Sequence, residues 1–416
     1  MDQSRHRVHG SRAPDRTRRA HSQVGGAVEI EHGSESQRSL MRRALSVGPL
    51  DPIALAHIHG FHAFPARLHP VTAAELIRGL TRQGDTVLDP FAGSGTILVE
   101  ARLLGRRAVG VDANPLAVEL QRLKVTETTS EQRHQLLQVA SEIAEGAEHR
   151  RRTKAGPSHR YGRTDRELFE PHVLLELDGL MVGVSSLKPG WLRSTLSLVV
   201  SSLLVKVSRR RSDTSAQMVE RRLAAGFTVR LFERKTEELS RRLQEFAERL
   251  TGGEPEAEVS LGDARKLTCR SESVDAIVTS PPYPGVYDYL DHHRVRLRWL
   301  DLDGSHLDRH EIGSHRKLAR ADADTATKHW TAELGACLAE MRRVLRPGGT
   351  AAVIIADTIL AGRPWNADQR LAELAQRHGL KLSAAAWQGR TDFHAPSRGT
   401  RGRLPRREHL LLLVPR

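Results

Sequence analysis

Apolar residues follow two rhythms along this chain. Short continuous runs bounded by Gly, Pro or Asp alternate with longer stretches in which apolar positions recur at helical spacing. T-V-L-D (86–89) is a run of the first kind and leads into the turn P-F-A-G-S-G-T (90–96). I-L-V-E-A-R-L-L (97–104) then predicts a helix, and R-A-V-G-V-D (107–112) a second strand that ends in an acid. A further strand precedes G-D-A-R (262–265), and D-A-I-V-T (275–279) is the next. W-T-A-E-L-G-A-C-L-A-E-M-R-R-V-L (330–345) is amphipathic and stops at R-P-G-G. T-A-A-V-I-I-A-D (350–357), L-S-A-A-A-W-Q (382–388) and E-H-L-L-L-L-V (408–414) complete the strands. Strands alternating with helices predict an α/β fold with a mostly parallel sheet.

One interval breaks the alternation. About 145 residues separate Asp112 from the strand near Val259, whereas a single crossover needs only a few tens. Residues 130–250 therefore read as a helical insertion. Its basic patches are H-R-R-R-T-K (149–154) and K-V-S-R-R-R-S-D-T (206–214), and the apolar run Thr195–Val205 reads as its core. Residues 1–46 are rich in Arg, Ser, His and Gly without a sustained apolar period, and read as a disordered basic leader. The expected organisation is thus a leader (1–46), a first core part (47–129), a basic insertion suited to target recognition (130–250), and a second core part (251–416).

Charge narrows the partner. The 416 residues carry a net charge of +14 and a pI near 10.4, a balance that favours a polyanion, nucleic acid first. Two cysteines, Cys269 and Cys337, stand far apart outside any CxxC pattern. That pattern excludes a disulfide framework or zinc ribbon and suits a reducing cytoplasm. No apolar run reaches the length of a membrane span, and no metal site is expected.

The chemistry gathers at strand ends. Gly93 and Gly95 follow the first strand, where glycines let backbone N–H groups approach a ligand. Asp112 lies about 20 residues on, placed to accept from two ribose hydroxyls. The turn is neither G-x-G-x-x-G nor a P-loop. Asp89, just before it, would repel a pyrophosphate and attract a sulfonium, which points to S-adenosylmethionine.

In this order D-P-F-A-G-S-G-T, G-V-D-A-N-P (110–115), G-D-A-R and T-S-P-P-Y (279–283) resemble the motif set of the amino-methyltransferases, which use S-adenosylmethionine to methylate exocyclic amino groups of nucleobases. H-A-F-P-A-R-L-H-P (62–70) is similar to the segment that precedes the first strand in that family. The resemblance covers about 60–125 and 255–416. It implies a Rossmann-like class I methyltransferase sheet, with the insertion between the second and third core strands. It also implies that Phe64 and Pro65 pack over the methionine part of the cofactor. Asp89, Pro90, Phe91, Gly93, Gly95 and Thr96 would then surround its methionine and ribose region. Asp112 would take the ribose hydroxyls, and Asp263 with Ala264 the adenine.

Ser280-Pro281-Pro282-Tyr283 follows a strand, at the end where open α/β sheets bind ligands. An exocyclic amine is a poor nucleophile because its lone pair is delocalised. The Ser280 hydroxyl and the Pro281 carbonyl can draw its hydrogens and expose that pair, while Pro282 removes a competing donor. Tyr283 can stack on a flipped base. No Pro-Cys pair is present, so carbon-5 chemistry is not expected. Ser in the first motif position resembles the cytosine-N4 enzymes more than the adenine-N6 ones. The expected substrate is DNA, in the context of a restriction or defence system. Two alternatives stay open: an RNA guanine-N2 methyltransferase of the same chemistry, and a non-catalytic nucleic-acid-binding relative.

Overall fold

A computed structural model describes residues 26–47, 52–215, 217–360, 362–390 and 406–416. The chain opens with β1 (Val28–His32) and α1 (Glu35–Leu45), followed by two 3-10 turns (Pro52–Leu55, His57–Gly60) and α2 (Pro70–Leu80). The core begins with β2 (Thr86–Asp89), α3 (Thr96–Leu103), β3 (Arg107–Asp112) and α4 (Pro115–Val125). The long interval holds α5 (Ser130–Arg152), α6 (Arg163–Leu168), α7 (Pro171–Ser186), α8 (Trp191–Val207) and α9 (Phe227–Ala247). After β4 (Glu258–Leu261) and β5 (Val274–Thr279) come α10 (Tyr289–Trp299), α11 (Ser305–His310), α12 (His315–Leu318) and α13 (Ala323–Val344). The chain closes with β6 (Leu345–Ala356), the antiparallel pair β7 (Thr358–Leu360) and β8 (Arg363–Trp365), α14 (Ala367–Arg377), β9 (Leu380–Arg390) and β10 (Arg406–Pro415).

Eight strands form one sheet in the order β1-β9-β10-β6-β5-β2-β3-β4. From β6 to β4 the neighbours are parallel, while β10 runs antiparallel to both β6 and β9. This is a Rossmann-like arrangement. The chain leaves β2 toward β3 and β4, then crosses back to place β5 on the other flank of β2. That reversal opens a crevice beyond the carboxyl ends of the strands.

The strand residues alternate between two cores. Val87, Val278, Leu410 and Leu412 join one face, and Leu88, Ile277, Leu411 and Leu413 the other. Both faces are covered, as a mostly parallel sheet requires. α13 and α14 cover the second face, where Cys337 is fully buried. The first face carries α1 to α4, and its apolar cluster runs on without a break into α5, α7, α8 and α9. The inserted helices thus share a core with the sheet. Within α8 the run Leu198, Val199, Val200, Leu203 and Leu204 is buried there.

The basic leader needs correction. Residues 28–45 are ordered, and 1–25 lie outside the described residues. Ser34 caps α1 in a reciprocal capping box with Gln37. Leu40, Met41, Ala44 and Leu45 are buried against the first face. β1 pairs with β9, some 350 residues downstream. Five alternating residues and three helical turns make a weak local signal, and the partner that gives them a purpose is remote in sequence.

Candidate active site

Four strands end at the crevice. Asp89 ends β2, Asp112 ends β3, and Thr279 ends β5 just before Ser280. β4 ends at Leu261, so Gly262 and Asp263 follow it. Between them lies a cleft that is partly open to solvent.

The turn after β2 is built for close approach. Gly93 has φ 49° and Gly95 φ 82°, a region that disfavours any side chain. A Cβ at Gly93 would point between the turn and the Phe64 ring, 3.5 Å from its Cε1. Gln121 of α4, fully buried, donates to the Gly93 carbonyl at 2.9 Å and packs under Gly95. The Asp112 carboxylate accepts from Gly93 N at 2.7 Å and from Asn114 N at 2.8 Å, one bond on each oxygen. Each oxygen keeps lone-pair capacity for a further donor. Burial pushes the Asp112 carboxyl up to about 6, against the pull of those two bonds.

The cleft brings together Phe64, Pro65, Pro90, Phe91 and Gly93 with Asp112, and across from them Ala264, Ser280 and Pro282. The other residues singled out from sequence stand behind this lining. Gly95 caps α3, and Thr96 is buried at its first position. Pro281 is buried as well.

Three expectations change. Asp89 does not line the cleft. Only 4% exposed, it accepts from Thr279 Oγ1 at 2.7 Å and from Phe91 N at 3.0 Å, and so ties β2 to β5. Burial raises its carboxyl to about 7. Asp263 also lies outside the lining, accepting from the Arg265 backbone N and Nε at 2.9 Å, with His310 Nδ1 at 3.1 Å. Burial would raise its carboxyl, but the Arg265 bonds and charge outweigh that and hold it below the usual range. Tyr283, expected to stack on a base, is instead 4% exposed in the second core. Its hydroxyl donates to Glu408 Oε1 at 3.0 Å.

The tyrosine that lines the cleft is Tyr289, the first residue of α10. It stacks on Phe64 with 6.5 Å between centroids, beside Tyr287 at 5.6 Å. His293, one turn on, packs against Phe64 at 4.8 Å, and its Nδ1 meets Asn114 Nδ2 at 2.8 Å. The tyrosine cluster of 283–289 is therefore divided between core and cleft.

Sequence reasoning missed the segment 307–312 altogether. Leu307, His310, Glu311 and Ile312 complete the wall. Glu311 accepts from Tyr289 N at 2.5 Å, and its other oxygen is buried without a hydrogen-bond partner. Burial raises its carboxyl to about 7. The segment is fastened to the S-P-P-Y loop by Gly285 N donating to the Gly313 carbonyl at 2.9 Å. Short polar helices carry little periodicity, so nothing local marked them. Asn114 was readable as an Asn-Pro helix cap, and its side chain does accept from Leu116 N.

Among the described residues, His57, His59 and Glu100 form a buried cluster away from the cleft lining. His59 Nε2 lies 2.7 Å from Glu100. Burial first, then the nearby Lys124 and Arg67, holds the His59 imidazole well below its ordinary range, and the group reads as a buried hydrogen-bonded cluster.

Comparison with known proteins bears on the same residues. A family model described as DNA methylase matches residues 35–122, from α1 through the Gly-rich turn to α4. The matched segment takes in the Gly-rich turn and the Asp112 strand, and its likeness is to the DNA amino-methyltransferases. Type II methyltransferase M.MjaII of Methanocaldococcus jannaschii is 30% identical over 69 residues, which is 17% of this chain and 13% of that protein. Type II methyltransferase M2.DpnII of Streptococcus pneumoniae is 41% identical over 62 residues, 14% of this chain and 23% of the relative. These matches span under a quarter of either relative. A TehB-like methyltransferase structure from Corynebacterium glutamicum aligns over 83% of this chain and 87% of its own, at 12% identity and a TM-score of 0.30.

The likeness to that family implies a bound S-adenosylmethionine, and the residues present fit it. Asp112 offers two oriented acceptors for a ribose diol, and Gly93 leaves a cradle that a Cβ would fill. Phe64, Pro65 and Phe91 supply apolar walls for the methionine side, and Leu307, Ala264 and Ile312 for a flat ring. No helix among the described residues is long and apolar enough to cross a membrane.

Proposed function

We propose that this chain is an S-adenosylmethionine-dependent DNA methyltransferase acting on an exocyclic amino group of a flipped base, with cytosine N4 the preferred target. One observation carries the reading: Ser280 and Pro282 line the same cleft as Asp112 and the Gly93 turn. The bound cofactor would supply an electrophilic methyl group on a sulfonium centre. The protein's part is to orient and to expose a lone pair. Ser280 Oγ and the Pro281 carbonyl accept the two amino hydrogens and draw the nitrogen away from planarity with its ring. Neither proline brings an N–H into that space. Preorganised acceptors of this kind act through orientation and electrostatics and need no covalent intermediate.

The stacking role passes from Tyr283 to Tyr289. Tyr283 anchors the loop through Glu408, while Tyr289 and Phe64 present aromatic surface to the cleft. A base stacked on such a face is worth about 1–3 kcal/mol. Ser280 in the first motif position favours cytosine N4 over adenine N6, because the resembling cytosine enzymes carry Ser there.

The test is methyl transfer from labelled cofactor into DNA and into total RNA, with nucleoside mass spectrometry of the product. N4-methylcytosine in DNA is expected, and label in neither polymer would sink the reading. Ser280→Ala should lower turnover by about a hundredfold, in the range of a lost transition-state hydrogen bond, while cofactor affinity stays unchanged.

A further inference from the structure

The inserted helices also carry a basic element tied to α10, whose first residue lines the cleft. Two arms, 208–214 and 217–222, run antiparallel after α8. Arg210 is bridged to Met218, Arg211 N donates to Gln217 O at 3.1 Å, and Val219 N to Arg209 O at 2.6 Å. Together the arms carry five arginines.

A buried latch fixes this element in place. Asp213 accepts from Arg296 of α10 through Nε at 3.0 Å and Nη2 at 2.9 Å. Arg296 is itself 1% exposed and also contacts His62 Nε2 at 3.2 Å and the Ser201 carbonyl of α8. His62 stands two residues before the cleft residue Phe64, and Arg296 lies two turns along α10 from Tyr289. The latch therefore sits between two elements that line the cleft. Arg210 and Asp213 are near enough to His292 for their charges to act on its ring, and His292 packs edge-on against Tyr287 at 5.8 Å.

Some arginines of the insertion have acid partners: Arg150 with Asp178, Arg163 with Glu167, Arg209 with Glu170, Arg241 with Glu245. Arg210, Arg211 and Arg221 form no ion pair with another described residue. The Arg221 guanidinium instead braces the Arg210 carbonyl at 3.3 Å. Met218, opposite Arg210, is 48% exposed, one of few large apolar side chains left so open. Arginines outside any ion pair, flanking an exposed apolar residue, suit a charged partner with apolar sugar and base surface. A merely solvated face would have no need of the latch.

We infer that the arms 208–214 and 217–222 hold the phosphate backbone of duplex DNA beside the cleft, with Arg210, Arg211 and Arg221 as the phosphate contacts. The inference rests on the nucleic-acid reading above and names the part of the molecule that grips. It gives the insertion a function that leaves catalysis to the sheet: the arms hold the duplex in register while the target base enters beside Tyr289.

The experiment measures binding of a mixed-sequence DNA duplex to the full chain by fluorescence anisotropy, without cofactor, over a salt series. Each phosphate contact adds about 0.9 to the slope of log K against log salt. Arg210→Gln/Arg211→Gln/Arg221→Gln should reduce the slope by about 2–3 and weaken binding at low salt by at least tenfold, whereas the acid-paired control Arg163→Gln/Arg241→Gln should leave both unchanged. Circular dichroism and thermal melting confirm that each variant is folded. To spare the partly buried Arg221, Arg210→Gln/Arg211→Gln alone should remove up to about 2 from the slope. An unchanged slope in both variants overturns the inference, as does loss of duplex-RNA binding with DNA binding intact. The two readings fail separately. DNA methylation by the wild type with an unchanged slope refutes only the gripping role. A reduced slope in a chain that transfers no methyl group refutes only the catalytic reading.

Discussion

Asp112 meets two demands at once. It closes the Gly-rich turn through the Gly93 and Asn114 backbone and still presents acceptor capacity to the cleft. Burial lifts its carboxyl to about 6, so the charged form that best accepts ribose hydroxyls is lost as pH falls through 6. Cofactor affinity measured by calorimetry should therefore weaken between pH 7 and pH 5. Asp112→Asn should bind roughly tenfold or more weakly at pH 7, the loss of a charge-assisted pair, and its affinity should be flat over that range. An equally steep pH dependence in the variant would move the titrating group elsewhere. Glu311 gives a stability test with its own sign. Its folded carboxyl stands near 7, above the ordinary 4.5, because burial disfavours the charge. A raised acid binds its proton more tightly in the folded chain, so the group costs stability as pH rises from about 4.5 through 7. Glu311→Gln keeps an acceptor for Tyr289 N and removes that cost. Relative to wild type it should gain on the order of 2–3 kcal/mol between pH 5 and pH 8, read from urea unfolding at the two pH values. A constant difference would contradict the burial of that carboxyl.

Among the elements, α1 and β1 show how far context overrides local pattern. α1 has a capping box and four buried apolar residues, yet lies in a stretch whose composition resembles a solvated tail. Its burial follows from the sheet face, since β1 extends β9 and α1 then closes over α2. Met41, fully buried there, tests the assignment. Met41→Ala should cost about 2–5 kcal/mol of stability if α1 is part of the core, and almost nothing if it were a mobile leader, as urea denaturation would report. The core strands were legible for the opposite reason. T-V-L-D, R-A-V-G-V-D and D-A-I-V-T are buried on both faces, which demands uninterrupted apolar runs that no surface element carries. α11 and α12, which frame Glu311, are six and four residues long. Helices that short bury one or two side chains each and leave no periodic trace.

For the whole molecule, the excess of positive charge has a location as well as a magnitude. The net charge of +14 counts every arginine alike, but the fold pairs some of them with acids locally and ties the arms that carry Arg210, Arg211 and Arg221 to α10. The insertion joins the first-face core, so its helices and the cleft are carried on one rigid body of packed side chains. The arms reach α10 through one buried ion pair whose partners are 83 residues apart in sequence. The sequence by itself determined the alternating α/β sheet, the order of the cofactor and S-P-P-Y motifs, and the size of the insertion. These depend on local composition, on apolar period and on turns that only glycine or proline permits. The tertiary structure alone decided which of those residues face the cleft. It turned Tyr283 and Asp89 inward and brought Tyr289 and Glu311 to the wall. Facing is set by how distant segments pack, and the contacts that set it, Tyr283 to Glu408 and Thr279 to Asp89, join residues 125 and 190 positions apart.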